Sequence, residues 1–153
     1  MSATLTHREP SLPGPEANLG YLFRLAYQRF SAALDNGLRD LGLTAHEYGI
    51  LSVFETRSEL STSELARITQ VTRQTMHTAI VALEAAGMLE RRAQNQRVVL
   101  SGLTSRGRQA LSAATKRVRK VESAALAGLS DDERIVIRGW LAGVAATTVG
   151  DRR

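Results

Sequence analysis

A chain of 153 residues with 43% hydrophobic side chains is long enough for one packed domain with helical extensions, and too apolar for global disorder. It has no cysteine, which removes disulfides, thiolate metal sites and thiol redox sensing together and fits a reducing compartment. The net charge of +5 is uneven: residues 1–60 carry 5 basic and 7 acidic groups, residues 61–108 carry 7 and 3, and residues 109–153 carry 8 and 5.

The middle of the chain is therefore its basic part. Of the 20 basic residues only Lys116 and Lys120 are lysine. Arginine is the better fork for phosphates and guanine edges, although an arginine-rich composition at large gives the same count.

Residues 1–16 are polar, hold Pro10, Pro13 and Pro15, and read as a flexible arm. No apolar run there suggests a secretory signal, and no stretch approaches the roughly 18 apolar residues that span a membrane. The expectation is a soluble, cytoplasmic protein with no membrane partner.

From Leu19 the pattern becomes helical. Leu19, Leu22, Phe23, Ala26, Phe30, Leu34 and Leu38 form one apolar stripe, which Gly42 ends. Thr44–Glu47, Ser61–Glu64 and Ser130–Glu133 each place a hydroxyl three residues before a glutamate. In such a capping box the hydroxyl accepts from an N–H of the first turn and the glutamate reaches back. The boxes predict helices over 45–57, 62–68 and 131–147. A further helix starts after Thr72 and runs to Ala86, with Gly87 as its left-handed terminator.

Residues 88–103 change character. MLERR and RVVLSGL flank the polar AQNQ and read as two short strands in a tight hairpin. Thr104 then starts a long helix. In it Leu111, Ala114, Val118, Val121 and Ala125 form a seam suited to packing against another helix. The order of a short helix, a tight turn, a second helix and a β-hairpin is that of a winged helix-turn-helix.

Here the chain resembles the MarR family (multiple antibiotic resistance regulators) over about residues 17–148. LGLTAHEYGILSVF is similar to the family's second helix and the linker before it. LSTSELARITQVTRQTMHTAIVALEAAGMLERR is similar to its helix-turn-helix and first wing strand, and NQRVVLSGLTSRG to its wing tip, second strand and start of the long helix. Leu65, Val71, Thr72 and Arg73 fill one motif; Leu83, Gly87, Met88, Leu89, Arg91 and Arg92 fill another. Four features depart from the family. Gln70 stands where glycine is usual in the turn, Thr78 where arginine is common, Asn95 where the wing has aspartate, and the wing loop is shorter.

The resemblance implies a mainly α fold with a small two-stranded β-wing. It implies a helical dimerisation lobe from residues 17–42 and 105–148 and a DNA-binding lobe over 45–103. Function would be repression by a homodimer on a pseudo-palindromic double-stranded DNA site, with release by a small aromatic or amphipathic effector. The alternative is a dimeric adapter that keeps the fold but binds a protein.

The second helix of the motif reads the same way without the family. Thr72, Arg73, Gln74, Thr75, His77 and Thr78 are polar, while Met76, Ala79, Ile80 and Leu83 suit a core. Gln pairs with adenine, Arg with guanine, and Thr with phosphate or a thymine methyl. An ordinary solvated helix face is the plainer reading. Thr62 joins the candidate DNA contacts at the start of the first motif helix. Arg97 at the hairpin tip suits a narrow minor groove, and Arg91 at a strand end suits either phosphate or solvent.

The resemblance also implies an effector pocket between the lobes, for which Tyr27, His46, Tyr48 and Phe54 offer aromatic and polar surface. The other reading makes them core or surface residues. His7, His46 and His77 lie far apart with no cysteine beside them, so no metal or other cofactor is expected. No phosphate loop, nucleophile elbow or paired carboxylate with a partner base is present, and the Asp131–Asp132–Glu133 run suits a helix N-terminus, which argues against an enzyme.

Overall fold

The computed structural model describes residues 14–95 and 98–146. A 3-10 turn over Gly14–Ala17 precedes α1, Leu19–Leu38, so the last part of the expected arm is ordered into a turn. The rest of that arm, residues 1–13, lies outside the described residues. The order continues α2 (Ala45–Val53), β1 (Glu59–Ser61), α3 (Thr62–Thr69), α4 (Arg73–Ala85), β2 (Leu89–Ala93), β3 (Val99–Leu103), α5 (Ser105–Ala125) and α6 (Asp131–Ala146).

The three capping boxes form. At Thr44 and at Ser61 the side chain accepts from the third helical N–H while the glutamate returns a bond to the cap N–H. Ser130 and Glu133 make the same pair of bonds at the head of α6. These bonds satisfy amides that a helix start leaves without partners. One boundary differs from the sequence reading by several residues. Helix α2 stops at Val53 rather than 57, because Phe54 N–H and Glu55 N–H bond back to Leu51 and Ser52 carbonyls and the chain turns away.

That turn delivers a strand that the sequence reading lacks. The sheet has three strands in the order β1-β3-β2, all antiparallel, with Leu60 opposite Ser101 and Ser101 opposite Arg91. Strand β1 has only three residues and a partner about forty residues downstream, so no local periodicity announces it.

One core joins most elements. Leu38, Leu43, Ile50, Leu51, Leu65, Met76, Ile80, Leu83, Leu89 and Leu111 are all buried within it. Each such aliphatic contributes about 1.5–3 kcal/mol of transfer energy. The seam on α5 also ends here: Leu111, Ala114 and Val118 are buried within this chain. Arg117 bonds across to the Gly37 carbonyl and pairs with Asp40, and Val121 lies within ordinary contact, 3.6 Å, of where a Cβ on Gly37 would stand. The helix that the seam meets is therefore the chain's own α1. The faces left uncovered are elsewhere: Leu19 and Tyr27 on α1, and Ile135, Val136, Trp140, Leu141 and Val144 on α6 are exposed. Helix α6 buries no residue and stacks Trp140 on Phe23 at 5.0 Å.

Candidate nucleic-acid interface

Helix α3 is short because its end is written into the turn. Gln70 takes a left-handed conformation, φ 56° and ψ 37°, and its N–H bonds to the Ala66 carbonyl. The Val71 N–H bonds to the same carbonyl at 3.1 Å. Thr72 is extended and caps α4, accepting from Thr75 N–H at 3.1 Å. Three residues between helices thus set the angle at which α4 leaves.

On α4, Met76, Ala79, Ile80 and Leu83 face the core, while Arg73, Gln74, Thr75, His77 and Thr78 are exposed with the capping Thr72 beside them. The threonines are already engaged. Thr72 and Thr75 hydroxyls bond each other at 2.8 Å, and the Thr78 hydroxyl donates to the Gln74 carbonyl at 3.1 Å. Among the described residues no hydrogen bond or ion pair holds the side chains of Arg73, Gln74 and His77, so their donors and acceptors face solvent. A protein surface that spends no side-chain bonds on itself is ready to bond base edges or phosphates.

Four of the sequence candidates meet in one place. Thr62, Arg73, His77 and Arg91 line a hollow of about 370 Å³ between the start of α3, the start of α4 and the base of the hairpin. Ser63 also lines it and carried no signal in the sequence beyond its place in the first turn of α3. The flanking arginines are paired: Arg91 with Glu84, and Arg92 with Glu59 at 2.7 Å. The Glu84 hydrogen bond raises the Arg91 pKa further and fixes the guanidinium beside α4. At the α3 cap, bonds from the Ser61 side chain and backbone hold the Glu64 carboxyl below its ordinary pKa.

Strands β2 and β3 close through a short loop. Gln94 N–H bonds to the Val98 carbonyl at 2.9 Å and Asn95 Oδ1 accepts from Val98 N–H at 2.9 Å, so Asn95 shapes the loop itself. Arg97 lies outside the described residues.

The four effector candidates do not come together within one chain. Tyr27 stands on an apolar groove of about 860 Å³ with Phe23, Phe30 and Leu141. His46 lines a different cleft of about 510 Å³ with Gln74, Thr75 and Thr78, beside the recognition surface. Phe54 is buried beneath α5 and borders a third hollow, and Tyr48 is half-buried against the core. Among the described residues no group of three histidine, aspartate or glutamate side chains is placed to hold a metal, and no helix is long and apolar enough to cross a membrane.

A short helix, a three-residue turn, an exposed polar row on the next helix and a β-hairpin beside it define a winged helix-turn-helix protein of the transcription-regulator class. A MarR-family sequence profile matches residues 41–97. The chain is 35% identical over 117 residues to the HTH-type transcriptional repressor Rv2887 of Mycobacterium tuberculosis, spanning 75% of this chain and 84% of the repressor. The crystal structure of Rv2887 in complex with salicylic acid superposes with a TM-score of 0.66 at 32% identity, covering 82% of this chain and 95% of that one. A probable transcriptional regulator from Pseudomonas aeruginosa superposes at 0.78 with 29% identity, covering 84% and 98%. The chain belongs to the MarR family.

Proposed function

We propose that this chain is a cytoplasmic, ligand-responsive repressor that binds double-stranded DNA as a homodimer, and that it is not an enzyme. The observation that carries the reading is the row Arg73, Gln74, Thr75, His77 and Thr78, solvent-facing on a helix whose opposite face is core. Arg73 and Gln74 near the start of α4 read base edges in the major groove. Thr62, Thr72 and Arg91 contact phosphates around the same hollow, and Arg97 at the wing tip adds a minor-groove contact.

Residues 17–42 and 105–148 form the dimer lobe, and 45–103 the DNA lobe. A two-fold axis through the uncovered faces of α1 and α6 presents the two recognition helices to successive major grooves, about 34 Å apart on a pseudo-palindrome. The effector is a small aromatic or amphipathic molecule that favours a dimer with the wrong helix spacing; the relative Rv2887 has been crystallised with salicylic acid.

The test is fluorescence anisotropy with a random duplex and with duplexes selected for tight binding, over a range of salt. Expected are a steep fall of affinity with salt, from counterion release, and a selected site bound at least about a thousandfold more tightly than the random one. Weak binding to every duplex with little salt dependence would favour the protein-binding adapter instead.

A further inference from the structure

The exposed face of α4 is divided between two hollows. Arg73 and His77, four residues apart, line the one beside the hairpin. Gln74, Thr75, Thr78, Ala79 and Ala82 line the other, the cleft of about 510 Å³. Its far wall is the start of α2, with Thr44, His46 and Glu47. The two hollows share no residue, so α4 forms a ridge between them. A helix seated in a major groove, about 12 Å wide, has a phosphate strand on each flank. Two hollows beside one recognition helix fit those two strands.

The flanks differ in charge. The hairpin side carries Arg73, His77 and Arg91. On the α2 side α4 contributes no cation, and the Thr78 hydroxyl is bonded to the Gln74 carbonyl at 3.1 Å. Among the described residues His46 is the sole basic side chain that lines this cleft. It is exposed, and among the described residues no hydrogen bond or ion pair holds its ring. The carboxylates beside it are engaged elsewhere. Glu47 accepts from the Thr44 N–H and hydroxyl, both at 2.9 Å, and Asp35 on α1 accepts from the Ala45 N–H at 2.7 Å.

We propose that His46 is a DNA-contacting residue and that it donates to a phosphate of the strand lying in the α2-side cleft. This gives to DNA a residue whose side-chain chemistry alone suits an effector equally well. An imidazole keeps at least one ring N–H to donate, and a phosphate oxygen accepts it. With Arg91 on the opposite flank, the recognition helix is gripped by both strands. Gln74 lines the same cleft as His46, so the phosphate contact also positions Gln74 against its base. The proposal rests on the DNA-binding reading and adds a second helix to the interface.

The experiment is fluorescence anisotropy of the full chain with a selected operator and a random duplex, at fixed pH and salt. It is repeated on His46→Ala, His46→Lys, His46→Glu and Lys120→Ala. Lys120 is exposed and lines neither hollow, so Lys120→Ala controls for charge. Expected in His46→Ala is a loss of about five- to tenfold on both duplexes alike, since a phosphate contact carries no sequence information. His46→Lys binds at least as tightly as the unaltered chain, His46→Glu loses more than His46→Ala, and Lys120→Ala is unchanged. All four variants melt with the unaltered chain. Operators bearing a single methylphosphonate, which removes one phosphate charge, then locate the contact. One replacement in each half-site weakens the unaltered chain but weakens His46→Ala no further. Unchanged affinity in both His46→Ala and His46→Glu overturns the contact and keeps the DNA-binding reading. A loss confined to the operator overturns it too, because His46 would then read a base, as does a methylphosphonate pattern identical in His46→Ala and the unaltered chain. An unaltered chain that binds no duplex overturns the DNA-binding reading and the contact with it.

Discussion

Gly107 lies directly against Met88. A methyl group added at Gly107 would fall well inside contact distance of the Met88 carbonyl oxygen and touch Leu103. The same carbonyl accepts from Thr104 N–H at 3.1 Å, and the Thr104 hydroxyl donates to the Gly87 carbonyl at 2.7 Å while capping α5 through Gly107 N–H at 2.9 Å. The long helix is thus fastened to the residues that follow the recognition helix, with no side chain between them. Gly107→Ala should lower stability by about 2–3 kcal/mol, because backbone on both sides must move to admit the methyl. Chemical denaturation of the variant checks this; a loss below about 0.5 kcal/mol would show that α5 and β2 slide freely.

Gln70 holds a left-handed turn that glycine adopts without strain; among the described residues it is the sole non-glycine with positive φ. A side chain there costs about 1–2 kcal/mol, while glycine returns roughly half of that through its freer unfolded chain. Gln70→Gly should therefore stabilise the fold by about 0.5–1 kcal/mol. Gln70→Val, branched at Cβ, should destabilise it by more than 1 kcal/mol. Thermal melts of the two variants moving in the same direction would remove the strain argument.

Much of this architecture was legible in the sequence, and the reasons differ by element. Ser61–Glu64 and Thr44–Glu47 announced helix starts because a capping box is a local device. Met76, Ala79, Ile80 and Leu83 announced a core face by helical spacing. Strand β1 was hidden because its partner is β3, far along the chain. The α5 seam was visible as a seam, but what covers it is a tertiary fact: Leu111, Ala114 and Val118 are buried in the chain's own core, while Val121 and Ala125 border an open groove beside α1. Tyr27, His46, Tyr48 and Phe54 offer aromatic and polar surface for the pocket that the family resemblance implies, but side-chain chemistry does not fix their places, and three of them border separate hollows.

The Glu64 carboxyl sits below its ordinary pKa of 4.5 because bonds from the Ser61 side chain and then its backbone favour the charged form. A depressed carboxyl contributes stability that is present above its unfolded pKa and lost as pH falls through the folded value. Glu64→Gln removes the charge but keeps an acceptor for the cap. The variant should be less stable than the unaltered chain at pH 7, by a margin that narrows as the pH falls below 4.5 and through the lower folded value. Melting curves across that range test the sign; a gap that widens on acidification would reverse it.

Arg73→Ala and Gln74→Ala should each weaken binding to a selected operator by about 1–3 kcal/mol and relax sequence preference at one position in each half-site. Both side chains are exposed and unbonded within the described residues, so truncation leaves the fold intact. Equal losses on operator and random duplex would mean that they touch phosphate only.

The last expectation concerns assembly. The Leu111, Ala114 and Val118 part of the α5 seam is buried within the chain, while Val121 and Ala125 line an open groove with α1 and α6, so the apolar surface that needs a partner is that groove and the outer faces of α1 and α6. Tyr27 is 73% exposed, Val136 69% and Ile135 67%, and the groove beside them is lined by Phe23, Phe30 and Leu141. Monomers rarely leave so continuous an apolar face in water. Light scattering at micromolar concentration should give about twice the 16.6 kDa chain mass. Val136→Asp then discriminates. In a two-fold interface the charge is introduced twice, each copy losing water without a partner, so association should weaken by about 3 kcal/mol or more. In the isolated chain Val136 is exposed, so helical content and the core should survive the change. Trp140, the one tryptophan, reports on the same face: its emission should shift to longer wavelength when the variant dissociates. An unaltered chain that scatters as a monomer, or a Val136→Asp variant that remains a tight dimer, would place the interface elsewhere and separate the two recognition helices from any axis through α1 and α6.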